Sequence, residues 1–293
     1  MVIKDKKEFL LYLNSLRFLG LGSEGIAYYD KRRKFVLKMY HDCFSDEFKE
    51  CKYITKDEVL KFSEIVNKTF VFPQEEIIYN DCVIGYVTSY HQGKTIDEIN
   101  PLRINFQDFI NSALKVDGDI EILSENNILT FDVLYNIMYG GRKISVIDTT
   151  EYCFSKDSHE KLLDVNRKNF NTGVILFLID SYFDEFVSSN KELNELYRDR
   201  KQNIKYFLTS FKKYLSEYIG SDITKLQEAK KAINKATITK TVIIPIIPTT
   251  ILNLFTSFFP SFAFGSSNFE IISSSFFFST GLTFFSSVGS PSG

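Results

Sequence analysis

Residues 20–25 form a glycine-rich run whose spacing suits contact between the backbone and phosphate groups. The run contains Gly20, Gly22, Ser23 and Gly25. Glycine lets the chain turn sharply and approach phosphate oxygens, because no Cβ stands in the way. In dinucleotide-binding folds a run of this spacing opens a helix, but here the strand-like residues 26–29 follow it. The context favours a hairpin that covers phosphates over a dinucleotide fold. A glycine-rich hairpin without a ligand is the alternative.

A lysine, Lys38, stands in the middle of the apolar run Phe35–Tyr40. An unpaired ammonium is costly to bury, so a lysine at this position needs a reason. Alternation along a strand places it on one face with Val36 and Tyr40. An edge lysine that points to solvent is one explanation. Because the glycine-rich run is one hairpin away, we favour an ammonium that reaches the α- and β-phosphates of a nucleotide.

Asp132, Asn136 and Asp148 form a third polar group, near two short apolar runs at 136–139 and 144–147. Asp148 follows Ile-Ser-Val-Ile at the end of an apolar strand, where packing does not explain a carboxylate. Magnesium prefers hard oxygen ligands, and phosphoryl transfer needs positioning and charge neutralisation more than covalent help. The alternative for Asp148 is a capping or turn aspartate.

The periodicity of apolar residues predicts the elements that must position these groups. Strands are expected at 17–20, 26–29, 35–40, 76–79 and 82–90, and helices at 5–16, 56–67 and through much of 158–218, including the long run 192–218. Residues 105–115 and 121–129 are expected to be helical or irregular. Asn80-Asp81 and Gly140-Gly141 are turn signals. Five strands with one inserted helix, followed by a mainly helical half, predict an α+β fold with two lobes.

This arrangement resembles the protein-kinase superfamily, in which a glycine loop precedes a strand lysine and a helix supplies its glutamate partner. The resemblance covers residues 17 to about 150 motif by motif, and the helices up to about 220 more loosely. It implies a bilobal fold, with a small antiparallel five-stranded N-lobe that carries one helix and a mainly helical C-lobe. Glu58 and Glu64 are the candidates to pair with Lys38, and Glu58 is slightly preferred. The backbone amides of the linker 91–94 are expected to hold the adenine edge, and Tyr90, the last residue of the fifth strand, is a further nucleotide-binding candidate.

By the same resemblance, Asp132 orients or deprotonates the acceptor, while Asn136 and Asp148 coordinate magnesium. ATP and Mg²⁺ are the implied cofactors, and the acceptor is a protein or a small molecule. Three features depart from the family pattern: Thr130-Phe131 in place of His-Arg, a shortened spacing from Asp132 to Asn136, and Thr149-Thr150 after Asp148. They resemble compact, atypical bacterial phosphotransferases. They also keep open a pseudokinase that binds nucleotide without turnover and acts as an interaction module.

The net charge and the cysteines limit which other partners and which cellular location are expected. The net charge of -2 gives no basic excess for a phosphate backbone, so no nucleic-acid partner is expected. The four cysteines are scattered without a C-x-x-C pair, which is typical of reduced thiols in a cytosolic protein; they are Cys43, Cys51, Cys82 and Cys153. We therefore expect a cytoplasmic location.

The last part of the chain, residues 236–293, is expected to lie outside a core made of an N-lobe (1–90) and a helical C-lobe (91–235). After Lys240 there is no Lys or Arg, and Glu270 is the only charged side chain. The uncharged stretch 241–264 is long enough to cross a bilayer, so membrane association through 241–288 is one interpretation. Phe and Ser codons are the complements of Lys and Arg codons. We therefore favour the interpretation that this part of the sequence comes from an out-of-frame or antisense reading of the gene, or that it is another kind of tail that does not fold.

Overall fold

The structure, a computed structural model, describes residues 1–45 and 56–242 of the 293-residue chain. The strands are β1 (Arg17–Leu21), β2 (Gly25–Asp30), β3 (Phe35–Tyr40), β4 (Glu75–Tyr79), β5 (Cys82–Ser89), β6 (Lys94–Thr95), β7 (Ile128–Leu129), β8 (Ile137–Gly140), β9 (Lys143–Val146) and β10 (Cys153–Phe154). The helices are α1 (Lys6–Ser15), α2 (Lys56–Val59), α3 (Phe106–Glu125), α4 (Val133–Asn136), α5 (His159–Ile179), α6 (Asp184–Ser189), α7 (Lys191–Arg198), α8 (Ile204–Ile219) and α9 (Leu226–Val242). The fold therefore mixes a sheet-rich first part with a mainly helical second part.

The first five strands form one antiparallel sheet in the order β1-β2-β3-β5-β4. Its strands agree closely with the predicted ones, and the predicted tight turn at Asn80 and Asp81 is confirmed. Both turn residues have left-handed φ values, 49° and 62°, and they join Tyr79 to its partner Cys82. Such a two-residue turn matches the twist of the strands it connects. In the centre of the sheet, Lys38 of β3 pairs with Tyr86 of β5.

Apolar side chains from the sheet and from α1 form one buried cluster. Helix α1 begins after Asp5, whose carboxylate accepts hydrogen bonds from the backbone N–H groups of Lys7 and Glu8. That cap satisfies donors that the first turn of a helix leaves free. The helix then buries Phe9 and Leu13 against the sheet, next to Leu37 of β3. The cluster therefore packs α1 onto the sheet.

The helical part has a core of its own, and in it α3 is one continuous helix. Helix was one of the two predictions for 105–115 and 121–129; α3 confirms it for most of both ranges and also covers the residues between them. Buried residues recur at helical spacing through the whole of α3, among them Phe109, Val116 and Leu123. Gly118 does not interrupt it, since the packing of this apolar face outweighs the low helix propensity of one glycine.

The long helix predicted over 192–218 is divided into α7 and α8, which corrects that prediction. The break between them is stabilised from α5, because the Asn171 amide donates to the carbonyl oxygens of Arg200 and Gln202, both at 2.7 Å. Asn203 then caps α8 by accepting from the N–H of Lys205 at 2.9 Å. These side-chain bonds offer the backbone an alternative to a continuous helix.

The helix predicted over 56–67 is also shorter in the structure. Helix α2 ends at Val59, and turns follow at 61–64. Asn67 closes this segment with an Asx turn. Its side-chain oxygen accepts from the N–H groups of Thr69 and Phe70, at 3.0 Å and 2.5 Å. Between α2 and Asn67, the N–H groups of Ser63 and Ile65 donate to the carbonyl oxygens of Leu60 and Phe62, so tight turns replace the predicted helix.

Residues 1–242 form one compact unit by their internal contacts. Helix α9 continues to Val242, past the boundary at 235 that the composition suggested. The prediction of an unfolded or membrane-bound tail concerns residues 243–293, which lie outside the described residues, as does Cys51. Within residues 1–45 and 56–242, none of the helices has both the length and the apolarity needed to cross a membrane.

Candidate active site

The site centres on the ammonium group of Lys38 in β3. Its Nζ lies 2.8 Å from the Oε2 atom of Glu24 and also donates a hydrogen bond to the Oδ1 atom of Asp148. Only 13% of the Lys38 side chain is exposed. An ammonium removed from water to this extent is stable only when anionic groups surround it. The sequence analysis singled out Lys38 and Asp148 separately, and the structure brings them into direct contact.

Glu24 reaches Lys38 from the turn between β1 and β2. The turn is closed by a hydrogen bond from the N–H of Gly22 to the carbonyl oxygen of Gly25, at 2.9 Å. His41 holds the same turn from the end of β3, because its backbone N–H donates to the Glu24 carbonyl oxygen at 3.0 Å. Sequence reasoning missed Glu24 as a partner of Lys38. The available signal was a carboxylate inside the glycine-rich run, on a hairpin that pairs with β3.

Glu58 and Glu64, the predicted partners of Lys38, lie on α2 and on the turns after it. Both side chains are exposed. The salt bridges formed by Lys38 in this structure involve the carboxylates of Glu24 and Asp148. A pairing of Lys38 with Glu58 or Glu64 stays a prediction.

The three glycines of the run have different surroundings. A Cβ added at Gly25 would lie 2.0 Å from the carbonyl oxygen of Met39, so this glycine is required by the approach of β2 to β3. A Cβ at Gly20 would meet no atom within 4 Å, and one at Gly22 would make an ordinary contact at 3.8 Å. Gly20 and Gly22 therefore have free space at the Cβ position, and Ser23 between Gly22 and Glu24 is exposed.

Asp148 follows β9 with a left-handed backbone, φ 57°, which is uncommon for residues other than glycine. Its Oδ1 atom accepts a second hydrogen bond from the hydroxyl of Tyr86 at 3.3 Å. Burial, followed by the negative charge of Asp148, raises the pKa of the Tyr86 hydroxyl well above its usual value. Tyr86 therefore stays a hydrogen-bond donor at physiological pH.

The segment after Asp148 is held by two further bonds. Thr149 donates from its hydroxyl to the carbonyl oxygen of Val71 at 2.9 Å, and Lys61 donates to the carbonyl oxygen of Thr150 at 3.1 Å. These contacts fix the residues on the C-terminal side of the aspartate. The carboxylate of Asp148 is thus placed by its neighbours, with 34% of the side chain exposed.

Asn136 and Asp132 lie at the two ends of the single-turn helix α4. The backbone N–H of Ile147 donates to the carbonyl oxygen of Asn136 at 3.0 Å, which places Asn136 beside the residue that precedes Asp148. The Asn136 amide donates to the carbonyl oxygen of Asp132 at 2.9 Å. Asp132 is exposed and also has a left-handed backbone, φ 44°. The short spacing from Asp132 to Asn136 is therefore accommodated by one helical turn.

Helix α5 positions the loop that precedes Asp132. Asn166, which is 1% exposed, accepts hydrogen bonds from the N–H and the hydroxyl of Thr130 at 2.9 Å and 3.0 Å. Its amide group donates to Ser124 and to the carbonyl oxygen of Ile128. Asn169 donates to the carbonyl oxygen of Thr130 at 2.7 Å. Two asparagines thus determine the path of the backbone two residues before Asp132.

Tyr90 and His91 form the linker between the large sheet and the rest of the chain. The Tyr90 ring stacks on Tyr29 with 3.9 Å between centroids. His91 bridges the two parts, with Nε2 3.0 Å from the Ser89 hydroxyl and Nδ1 2.6 Å from the Ser145 hydroxyl. Burial, and to a smaller extent Lys143, lowers the pKa of His91 to about 4. The ring is therefore neutral near pH 7.

Asp148 and Asn136 supply oxygen atoms of the kind that Mg²⁺ prefers. Among the described residues, no cluster of three or more His, Cys, Asp or Glu side chains could hold a metal by itself. Magnesium bound together with a nucleotide takes only one or two protein ligands, since phosphates and water complete its shell. Asp148 and Asn136 are therefore the residues that would hold a metal arriving with a triphosphate.

Comparison with solved structures shows a similarity in fold, of which one example follows. The kinase domain of PknI from Mycobacterium tuberculosis is similar to this chain with a TM-score of 0.44 and 13% sequence identity, over 67% of this chain and 93% of that one. No family model matches the chain. No curated protein matches it either.

Proposed function

We propose that this chain is an ATP- and magnesium-dependent phosphotransferase of the bilobal protein-kinase-like fold. The observation that carries the proposal is the contact between Lys38 and Asp148, which are 110 residues apart in sequence. A strand lysine and a carboxylate after a short hairpin are the pair that the kinase resemblance assigns to phosphates and to metal. Their contact in one half-buried site is what such a function requires.

The roles of the other residues follow from their places around this pair. Lys38 would contact the α- and β-phosphates, and Asp148 with Asn136 would hold the magnesium ion. A bound Mg²⁺ would neutralise charge on the phosphates during transfer. Asp132, exposed at the start of α4, would orient or deprotonate the hydroxyl group of a protein or small-molecule acceptor. The open space beside Gly20, Gly22 and Ser23 would take the phosphates, and Tyr90 would border the adenine.

A pseudokinase that binds nucleotide without turnover, and works as a nucleotide sensor or scaffold, is the second candidate. Glu24 occupies part of the contact surface of Lys38 that phosphates would need. The residues before Asp132 are Thr130 and Phe131, and Thr130 is held by asparagines instead of charged groups. These observations favour a site with weakened turnover.

Thermal unfolding of the full chain, with and without ATP and MgCl₂, tests nucleotide binding. Ligand at about a hundred times its dissociation constant adds roughly 2.7 kcal/mol of stability. For a protein of this size the melting temperature is expected to rise by about 5–10 °C. The rise should require magnesium, and it should disappear in Asp148→Ala and shrink strongly in Lys38→Ala. An unchanged melting temperature in the wild-type chain would contradict the proposal.

Turnover is tested separately by following ADP release and ³²P transfer from labelled ATP. An active phosphotransferase loses turnover in Asp132→Ala while it keeps the thermal shift, because Asp132 acts on the acceptor. Nucleotide binding without any release of ADP in the wild-type chain would select the pseudokinase. Phosphotransfer that survives in Asp148→Ala would contradict the assigned metal site.

A further inference from the structure

Tyr86 lies on β5, the strand that pairs with β3 on the side opposite to β2. It is 3% exposed and pairs with Lys38 across the β3–β5 ladder, so both side chains project from the same face. The ring centroid of Tyr86 is 5.8 Å from the Lys38 ammonium nitrogen. Tyr40 packs edge-on against the same ring at 6.1 Å. The position of the Tyr86 hydroxyl is therefore set by packing on a strand.

The hydroxyl of Tyr86 and the ammonium of Lys38 both bind the same carboxylate oxygen, Oδ1 of Asp148. Two donors on one oxygen determine the rotation of the carboxylate group. They leave Oδ2 as the oxygen that neither of them uses. If Lys38 moved to bind a triphosphate, the Tyr86 hydroxyl would remain as a hydrogen-bond donor to Asp148.

We propose that Tyr86 is a positioning residue, which holds the Asp148 carboxylate in the orientation needed to bind magnesium together with a nucleotide. The inference rests on the proposed function and adds a residue that neither the glycine-rich run nor the aspartates indicate. Loss of a hydrogen bond to a charged group changes affinity by about tenfold or more at ordinary length; because this bond measures 3.3 Å, we expect the lower end of that range.

The test compares Tyr86→Phe with Tyr152→Phe in the full chain. Both substitutions remove one buried hydroxyl and keep the ring. Tyr152 is 0% exposed, and its hydroxyl has no hydrogen-bond partner among the described residues. Binding of a fluorescent ATP analogue is measured at increasing MgCl₂ and in EDTA. We expect Tyr86→Phe to need about tenfold more magnesium for half-maximal binding, with unchanged affinity in EDTA. Tyr152→Phe should behave like the wild-type chain.

A double-mutant cycle with Asp148→Asn provides a measurement that does not depend on nucleotide. Urea unfolding of the wild-type chain, the two single variants and the double variant should show coupling between residues 86 and 148. Coupling together with the shift in magnesium dependence supports the inference. Wild-type magnesium dependence in Tyr86→Phe overturns the inference alone. A wild-type chain that binds no nucleotide overturns the proposed function, and the inference with it.

Discussion

The carboxylate of Glu24 lies 2.8 Å from the ammonium nitrogen of Lys38, so a residue of the glycine-rich turn binds the lysine that is expected to bind phosphates. The two side chains are 36% and 13% exposed. A triphosphate that approaches Lys38 therefore meets a negative charge already in place. Glu24 would therefore compete with the phosphates of the proposed nucleotide for the ammonium.

Glu24→Gln should therefore strengthen nucleotide binding. The substitution removes one negative charge next to a polyanionic ligand in a partly exposed site. It should make the binding free energy more favourable by roughly 1 kcal/mol, which lowers the dissociation constant about fivefold. Isothermal titration with Mg-ATP measures the change. Glu98→Gln, an exposed carboxylate outside the site, is the matched control. Weaker binding in Glu24→Gln would show that Glu24 holds Lys38 in place for the phosphates.

Gly20→Ala and Gly25→Ala should affect different properties: the first should change nucleotide binding, and the second should change stability. The alanine Cβ at residue 25 would overlap the Met39 carbonyl oxygen, so we expect a loss of more than about 2 kcal/mol in the free energy of unfolding. Gly20→Ala has open space and should leave stability within about 1 kcal/mol of the wild-type value while it weakens binding of Mg-ATP. Urea unfolding and nucleotide titration of the two variants separate the effects. Equal destabilisation would contradict the distinction.

Lowering the pH should destabilise the folded chain through His91. Its folded-state pKa of about 4 lies below the ordinary value of 6.5, so the unfolded chain takes up a proton that the folded chain excludes. The stability contributed by His91 is therefore complete above pH 6.5 and is lost as the pH falls towards 4. Melting temperatures measured across this range should fall less steeply in His91→Asn than in the wild-type chain. Identical slopes would refute the assignment.

Arg167 and Asp117 form a bidentate salt bridge between α5 and α3, with distances of 2.7 Å and 2.8 Å. Their side chains are only 17% and 11% exposed. Arg167→Met should cost about 2 kcal/mol, because it leaves a largely buried carboxylate with the amide of Asn203 as its remaining donor. Thermal unfolding measures the loss. Lys161→Ala removes the exposed pair with Asp157 and should leave the melting temperature unchanged.

Asn166→Ala should destabilise the chain by about 3 kcal/mol, since it leaves the buried N–H and hydroxyl of Thr130 without their acceptor. Asn126→Ala removes one exposed side-chain bond at the end of α3 and should cost much less. Urea unfolding compares the two. Similar losses would mean that the bonds to Thr130 contribute little. Any residual phosphotransfer in Asn166→Ala should also be low, because the loop before Asp132 loses its support.

Sequence reasoning predicted the sheet well because its signals are local. Alternating apolar residues define β3, and the pair Asn80-Asp81 defines the turn between β4 and β5. Lys38 and Asp148 were identified because a charged residue in or after an apolar strand is costly and therefore informative. The same reasoning predicts the residue but not its partner.

The errors concern relations that the pattern of apolar residues does not define. The contact of Glu24 with Lys38 depends on the shape of a turn, and the break between α7 and α8 depends on Asn171 of another helix. Tyr86 looks like an ordinary core residue in the sequence. Only the strand register places its hydroxyl next to Asp148. Propensity and periodicity contain no information on such tertiary hydrogen bonds.

The contacts at the site also imply an order of assembly during folding. Glu24 and Lys38 are 14 residues apart, whereas Lys38 and Asp148 are 110 residues apart and Tyr86 and Asp148 are 62 apart. Closing long loops costs entropy before the contacts that repay it exist. We therefore expect the hairpin of β2 and β3, with Glu24 already on Lys38, to form early. Asp148 would join only after the sheet and the helical core are both in place, so the complete site would be among the last parts of the chain to form.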